Sequence, residues 1–521
     1  MDTHMARDRG GKGTINTQKE RAQSKGINGR YLVPMLRCSA AVLCVWTYSQ
    51  QAFSGEWTTH YGVSAREVFT DNVCLSEDNE RSEWITTAAP TFSVKGSGGR
   101  ASLNLAGAIE INDLDDSSRC ASADNSDNFN PTLKGSGTVE LLSNLLYVDA
   151  NANVQQNSIN PFQASGDSNL TRNDNRNTTY QYSISPYLTH RLGSVAELYL
   201  RYVYDNQENS EDSIGKSDQQ TFTGAISNVT GKSKWSWSLQ GNHQQITYDD
   251  DSQFQHQQDE LSSVTFNTGY QFSRKWALFG SVGEEMNDYV SVNDDIDGRS
   301  WTAGFHWTPN PRTDVQVSAG ERFFGSTPKV SVTHRLKHSR FQLSYDRSLT
   351  YTRSLRTEPE FFMLVDEDGQ PIFNIDGDIV LISMNQTTVT RSPIVDERLR
   401  FGYRWAKGKT TLTLDGSQSE QWREEDGYTS TFTTYAAGVQ RKLTPELSGH
   451  ARVVYTDTAV DRDSALLGSD SEVFRLYLSL VKRLGPKTSL TMAYTYSDRQ
   501  SEVAADEYQE NRVSVGISMS W

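Results

Sequence analysis

The 521-residue sequence has no long apolar run, and hydrophobic side chains make up only 36% of it. No stretch approaches the roughly 18 consecutive apolar residues of a membrane-spanning helix, which excludes a helical membrane protein. A soluble chain this poor in aliphatic residues tends towards disorder. An excess of basic charge is missing too, with 50 Lys and Arg against 65 Asp and Glu. Residues 1–54 hold 8 basic and 3 acidic residues, which leaves 42 against 62 and a net charge of −20 for the remainder. Duplex nucleic acid is thereby excluded as a partner, since phosphate binding needs a basic surface. Chemistry-bearing motifs are also scarce. The histidines show no metal-ligand spacing, no G-x-S-x-G elbow occurs, and Gly10-Gly-Lys-Gly-Thr14 lacks the full phosphate-loop spacing. His243 and His256 have no nucleophile beside them in sequence, so no enzyme activity, cofactor or metal is expected.

What is abundant is aromatic and alternating. Aromatics reach 10%, with 23 Tyr and 11 Trp. In the last ten residues Val513, Val515, Ile517, Met519 and Trp521 share one face, while Arg512, Ser514, Gly516, Ser518 and Ser520 share the other. A half-buried strand alternates in this way. Closing on an aromatic, this strand resembles the assembly signal of bacterial outer-membrane proteins. The same alternation recurs around Leu198–Tyr204, Leu399–Trp405, Phe474–Leu480 and Leu490–Tyr496. A membrane β-barrel reconciles low hydrophobicity with long strands, because only every second side chain must face lipid. A propeller would instead show a regular blade period, which the spacing lacks.

Turns fall into two kinds. Ten are short, near Gly98, Asn144, Gly193, Lys232, Arg274, Asn310, Lys337, Gly408, Thr444 and Gly485. Between them lie longer polar segments, the longest near residues 353–394. Short periplasmic turns and long extracellular loops have this pattern, and the count predicts an all-β, antiparallel up-and-down transmembrane barrel of about 22 strands (20–24). TonB-dependent transporters also have 22 strands, together with a large N-terminal plug in the lumen. Here the strand pattern begins at about Trp57, so the expectation is a barrel over residues 55–521 with no plug domain.

The N-terminus reads as a signal peptide over residues 1–54: a basic stretch to Arg37, an apolar core Cys38–Trp46, and Ala52-Phe-Ser54 before Gly55. Cys74 and Cys120 fall in the first two loop regions and are a candidate disulfide in an oxidising compartment. Asn293-Asp-Asp-Ile-Asp-Gly298 reproduces half of a calcium loop, but Gly304 stands where the closing Glu belongs. Arg201, Arg340, Arg398, Arg400, Arg404, Arg475 and Arg512 all project to the polar faces of their strands, and so into the lumen. They either pair with acids such as Glu197, Glu321 and Asp346 across a filled interior or form a lining that attracts anionic solute.

Gly320-Glu-Arg-Phe-Phe-Gly325, His334-Arg335, Gln342-Leu-Ser-Tyr345, Val63-Ser-Ala-Arg66 and Thr70-Asp-Asn-Val73 carry a family resemblance. With the hairpin layout they resemble the outer-membrane β-barrel proteins associated with the PEP-CTERM/exosortase system, found beside exopolysaccharide gene clusters. The resemblance implies exopolysaccharide export or surface-protein sorting, and brings no functional residues with it. The expected setting is the outer membrane of a Gram-negative bacterium. Partners there would be its lipid and lipopolysaccharide, the barrel assembly machinery, and exopolysaccharide or periplasmic export components. A general solute porin and a non-conducting structural or adhesive barrel are the alternatives.

Overall fold

Side chains that alternate between lipid and water force an extended backbone, and strands account for nearly all of the structure. The computed structural model describes residues 55–521 apart from 114–119, 121–127, 172–174, 212–213, 230–232, 250–256, 358–385, 388–389 and 462–467. The expected signal peptide and most of the long loop near 353–394 lie outside the described residues. Twenty-three strand segments form one sheet, antiparallel at every pairing. β13 (Thr313–Arg322) pairs with both β14 (Gly325–Ser326) and β15 (Lys329–Arg335), so the latter two are one interrupted strand and the barrel has 22. It closes where β1 (Glu56–Thr70) pairs with β23 (Tyr508–Ser520), from Gly62 opposite Ser520 to Thr70 opposite Arg512. Beyond that ladder the backbones of Tyr61 and Trp521 exchange both hydrogen bonds, at 3.0 and 2.8 Å.

Apart from the interrupted β14–β15 strand, the barrel strands run from 10 to 16 residues, long enough to cross an outer membrane at a tilt. One rim consists of tight turns. Gly193 and Gly408 sit there at φ 64° and 61°, a left-handed conformation that glycine adopts without steric cost. Asn144 does the same at φ 54°. These turns carry Arg100, Lys234, Arg274, Lys275, Arg312, Lys337, Lys409 and Lys487. The other rim carries the long loops, with acidic runs such as Glu77-Asp78, Asp294-Asp295 and Glu424-Glu425-Asp426. By the rule for outer-membrane barrels the tight, basic rim is periplasmic and the acidic rim extracellular.

Register fixes the two faces. Val513, Val515, Met519 and Trp521 are exposed on the outer wall, while Arg512 and Gly516 point inward and are buried. Outer-wall aromatics gather near the rims: Trp276 stacks on Trp307 at 5.5 Å, and Phe69 meets Trp84 at 5.1 Å. Such girdles place amphipathic rings at the lipid headgroups. No described helix is long and apolar enough to cross a membrane.

The sequence left undecided whether the lumen is open or filled, and among the described residues its extracellular half is filled. Inward-facing residues of the extracellular half are buried, including Ser64, Arg66, Val68 and Thr70 on β1. Across the barrel Ser430, Phe432, Thr434 and Ala436 on β19 (Thr429–Lys442) are buried as well. In the periplasmic half, inward residues such as Lys95, Asn104, Ser136, Arg340 and Arg404 are exposed. The filling comes from connecting loops that turn inward. Strand periodicity carries no information about a loop's path.

Candidate functional site: a latched mouth above a hollow lumen

Among the described residues the principal occupant is 158–171 with 175–176, part of the segment between β5 (Leu146–Asn157) and β6 (Asn177–Leu192). It is held first by itself. The Asn175 amide donates to the Asn160 carbonyl at 2.7 Å and accepts from the Asn160 N–H at 2.7 Å. It then docks on the far wall. Phe162 is 1% exposed and stacks on Phe432 at 6.0 Å. The Phe162 carbonyl accepts from Arg499, and the Ser165 carbonyl from the Tyr508 hydroxyl at 3.0 Å and Arg475 at 3.4 Å. Arg512 forks onto Asp167 at 2.6 Å and the Ser168 hydroxyl at 2.7 Å. Burial alone would raise the Asp167 carboxyl. The guanidinium groups of Arg512 and Arg475 outweigh it and hold that carboxyl below the ordinary carboxylate range.

The latch rests on a small apolar floor. Cys74 and Cys120 are joined in a disulfide, Cα to Cα 5.5 Å, and pack with Val68, Val73, Ile85 and Leu170. A second inward segment follows β16 (Ser339–Thr350). Its short helix α1 (Thr352–Thr357) carries Arg353, which pairs with Asp205 at 2.5 Å. Further on, the Gln386 carbonyl accepts from Gln421 at 2.9 Å, and its side chain accepts from Thr458 at 3.2 Å.

The seven arginines singled out in the sequence all lie on the inward face, but in different circumstances. Arg475 and Arg512 hold the latch. Arg398 is buried against Asp396 at 2.7 Å, and Arg400 lies 3.9 Å from Asp346. Arg201 pairs with Asp149 at 3.0 Å and caps the Tyr187 ring at 5.4 Å. That ring belongs to a ladder with Tyr147 at 5.0 Å and Tyr199 at 6.0 Å on the periplasmic side of the lumen. Arg340 and Arg404 are exposed to the hollow half. Of the expected acidic partners, Asp346 faces inward. Glu321 is on the outer wall, within 3.4 Å of the Trp301 indole N–H. Strand parity also points to Arg66 and Arg499, which sequence reasoning passed over. Arg66 pairs with Glu110 at 2.9 Å, both buried.

His243 has a neighbour the sequence did not reveal: its Nδ1 lies 2.8 Å from the Ser262 hydroxyl on the outer wall. Among the described residues no group of His, Cys, Asp and Glu is arranged to hold a metal ion, the stretch Asn293–Gly298 included.

These features define a large outer-membrane β-barrel, set among lipid with lipopolysaccharide in the outer leaflet. No family model and no curated protein matches the chain. Solved structures do. The ferric enterobactin receptor of Pseudomonas aeruginosa, solved with enterobactin, is similar at 11% identity and TM-score 0.50, over 89% of this chain and 81% of that one. A siderophore receptor from Acinetobacter baumannii is similar at 8% identity and TM-score 0.50, over 89% and 80%. At that identity the likeness is one of fold. It also overturns the plugless reading, since barrels of this class and strand number carry a plugged lumen.

Proposed function

We propose that this protein is a gated outer-membrane transport barrel that rests closed, with segment 158–176 as its extracellular gate. One observation carries the reading: the mouth is filled by a loop latched through Arg512 and Asp167, while among the described residues the inward side chains of the periplasmic half, such as Lys95, Asn104 and Arg340, are exposed. A general porin needs a standing aqueous path, and a purely structural barrel needs no hollow half. The resemblance to barrels of the PEP-CTERM/exosortase system supplies the setting, exopolysaccharide export or surface assembly, with the barrel assembly machinery inserting the chain. We read the barrel as a conduit and not an enzyme. Among the described residues no acid or amide orients His243, and the strand amides around Ser262 are committed to the sheet ladder.

Conductance in planar bilayers tests the gate. Wild-type protein is expected to be silent, and protein with residues 159–174 replaced by a short glycine-serine linker is expected to conduct. A steadily open wild type, or a silent loop variant, overturns the proposal. Secreted polysaccharide yield in a deletion strain tests the setting separately.

A further inference from the structure

Three arginines stand side by side in the hollow half. Arg335 ends β15, Arg340 is the second residue of β16 and Arg404 lies on β17 (Ile394–Lys407). The register sets Arg335 opposite Arg340, and Arg340 opposite Arg404. Neighbouring strands lie about 4.8 Å apart, so three cations are confined to a row about 10 Å long. All three are exposed on the inward face, and among the described residues none of them forms an ion pair. Of the inward carboxylates beside the row, Asp314 is engaged by His306 at 2.8 Å, and Asp415, diagonal to Arg404 on the next strand, has Arg452 as its charged neighbour. The turns below add Arg312, Lys337 and Lys409. This sector is therefore strongly positive in a chain whose net charge is −15.

Like charges set directly opposite across a sheet destabilise it. Stability alone would not select such a row on a solvated wall, where any polar residue serves, whereas an anionic ligand would. We propose that Arg335, Arg340 and Arg404 form a binding site for a chain-like polyanion, one bearing carboxylate or phosphate groups spaced about one strand apart. It is the site such cargo meets first from the periplasm. Guanidinium forks match both oxyanions in bidentate geometry, and the low-dielectric wall focuses their field. The proposal rests on the lumen being a transport path, but binding itself does not require the gate to open.

The full chain, refolded in detergent, is titrated with tripolyphosphate, with trigalacturonate and with neutral maltotriose. At least one of the two anions is expected to bind, more weakly as salt rises, and maltotriose is not. Binding of tripolyphosphate alone assigns a phosphate-bearing cargo, and of trigalacturonate alone a carboxylate-bearing one. The triple variant R335Q/R340Q/R404Q should weaken anion binding about 10- to 100-fold, the loss of one or two charge-assisted contacts. Its thermal midpoint should hold or rise, because a repulsive row has been removed. Unchanged affinity in the variant, no anion binding by the wild type, or a lowered midpoint overturns the proposal. A loop-replaced variant that stays silent yet binds anions defeats the gating reading and leaves this one standing.

Discussion

The Arg512–Asp167 pair concentrates the behaviour of the mouth in two side chains. Both are nearly buried, at 9% and 10% side-chain exposure, so removing one partner strands an uncompensated charge. Such losses typically cost about 3–5 kcal/mol, enough to loosen a loop whose other anchors are the Phe162 stack and single hydrogen bonds from Arg499, Tyr508 and Arg475. R512Q should therefore raise the open probability and expose 158–176 to protease, while the barrel keeps its heat-modifiable migration on gels. A tight loop with unaltered proteolysis would show that Phe162 and the backbone contacts suffice. Acid should act on the same pair. The Asp167 carboxyl is depressed in the folded state, so its contribution is present above the unfolded value of about 3.9 and is lost only as pH falls through the lower folded value. The gate should thus stay shut through mildly acidic pH and loosen in stronger acid, and D167N should be open across the range. Conductance recorded against pH checks both.

The floor beneath the latch is an element-scale device. The Cys74–Cys120 disulfide closes a span of 46 residues and sits under Leu170. In the chain-entropy account, a loop of that size is worth about 4 kcal/mol. Reduction should leave the strands intact and make the mouth flicker, seen as brief conductance events that vanish on reoxidation. If reduced protein stays silent, the floor is held by packing alone. Sequence patterning reached the strands well, because alternation is a direct record of which side chain faces lipid. Nine of the ten tight turns appear near the expected residues, most of them marked chemically by glycine, asparagine or proline, and the tenth, near Lys232, lies outside the described residues. The gate left no such mark. Asp167 and Phe162 look like ordinary loop residues, and only the fold shows that they reach β19 and β23. The Ser262–His243 contact was hidden for the same reason: cross-strand neighbours 19 residues apart are set by register, which composition does not encode.

At the scale of the whole molecule, charge is sorted by rim, basic at the turns and acidic at the loops. Single cysteines in a cysteine-free background should reveal this orientation. Substitutions at Asp78, Gln257 and Gly427 should label with an impermeant reagent on intact cells, and those at Ser194 and Lys409 should not. Reverse labelling would turn the topology over without dissolving the barrel. Removing Trp521 should impair insertion, because its two backbone bonds to Tyr61 extend the seam between β1 and β23. Unchanged insertion would mean that the ladder from Gly62 to Thr70 suffices by itself. That seam joins the first strand to the last, so its contacts have close to the largest sequence separation the chain allows. Contact order of this kind makes ring closure a late and slow event in folding. Until it happens, two unpaired edges stay open to any strand nearby, including those of a second nascent copy. Yield of folded protein should therefore fall with chain concentration more steeply than stability would suggest, and fastest for variants that weaken the terminal strand.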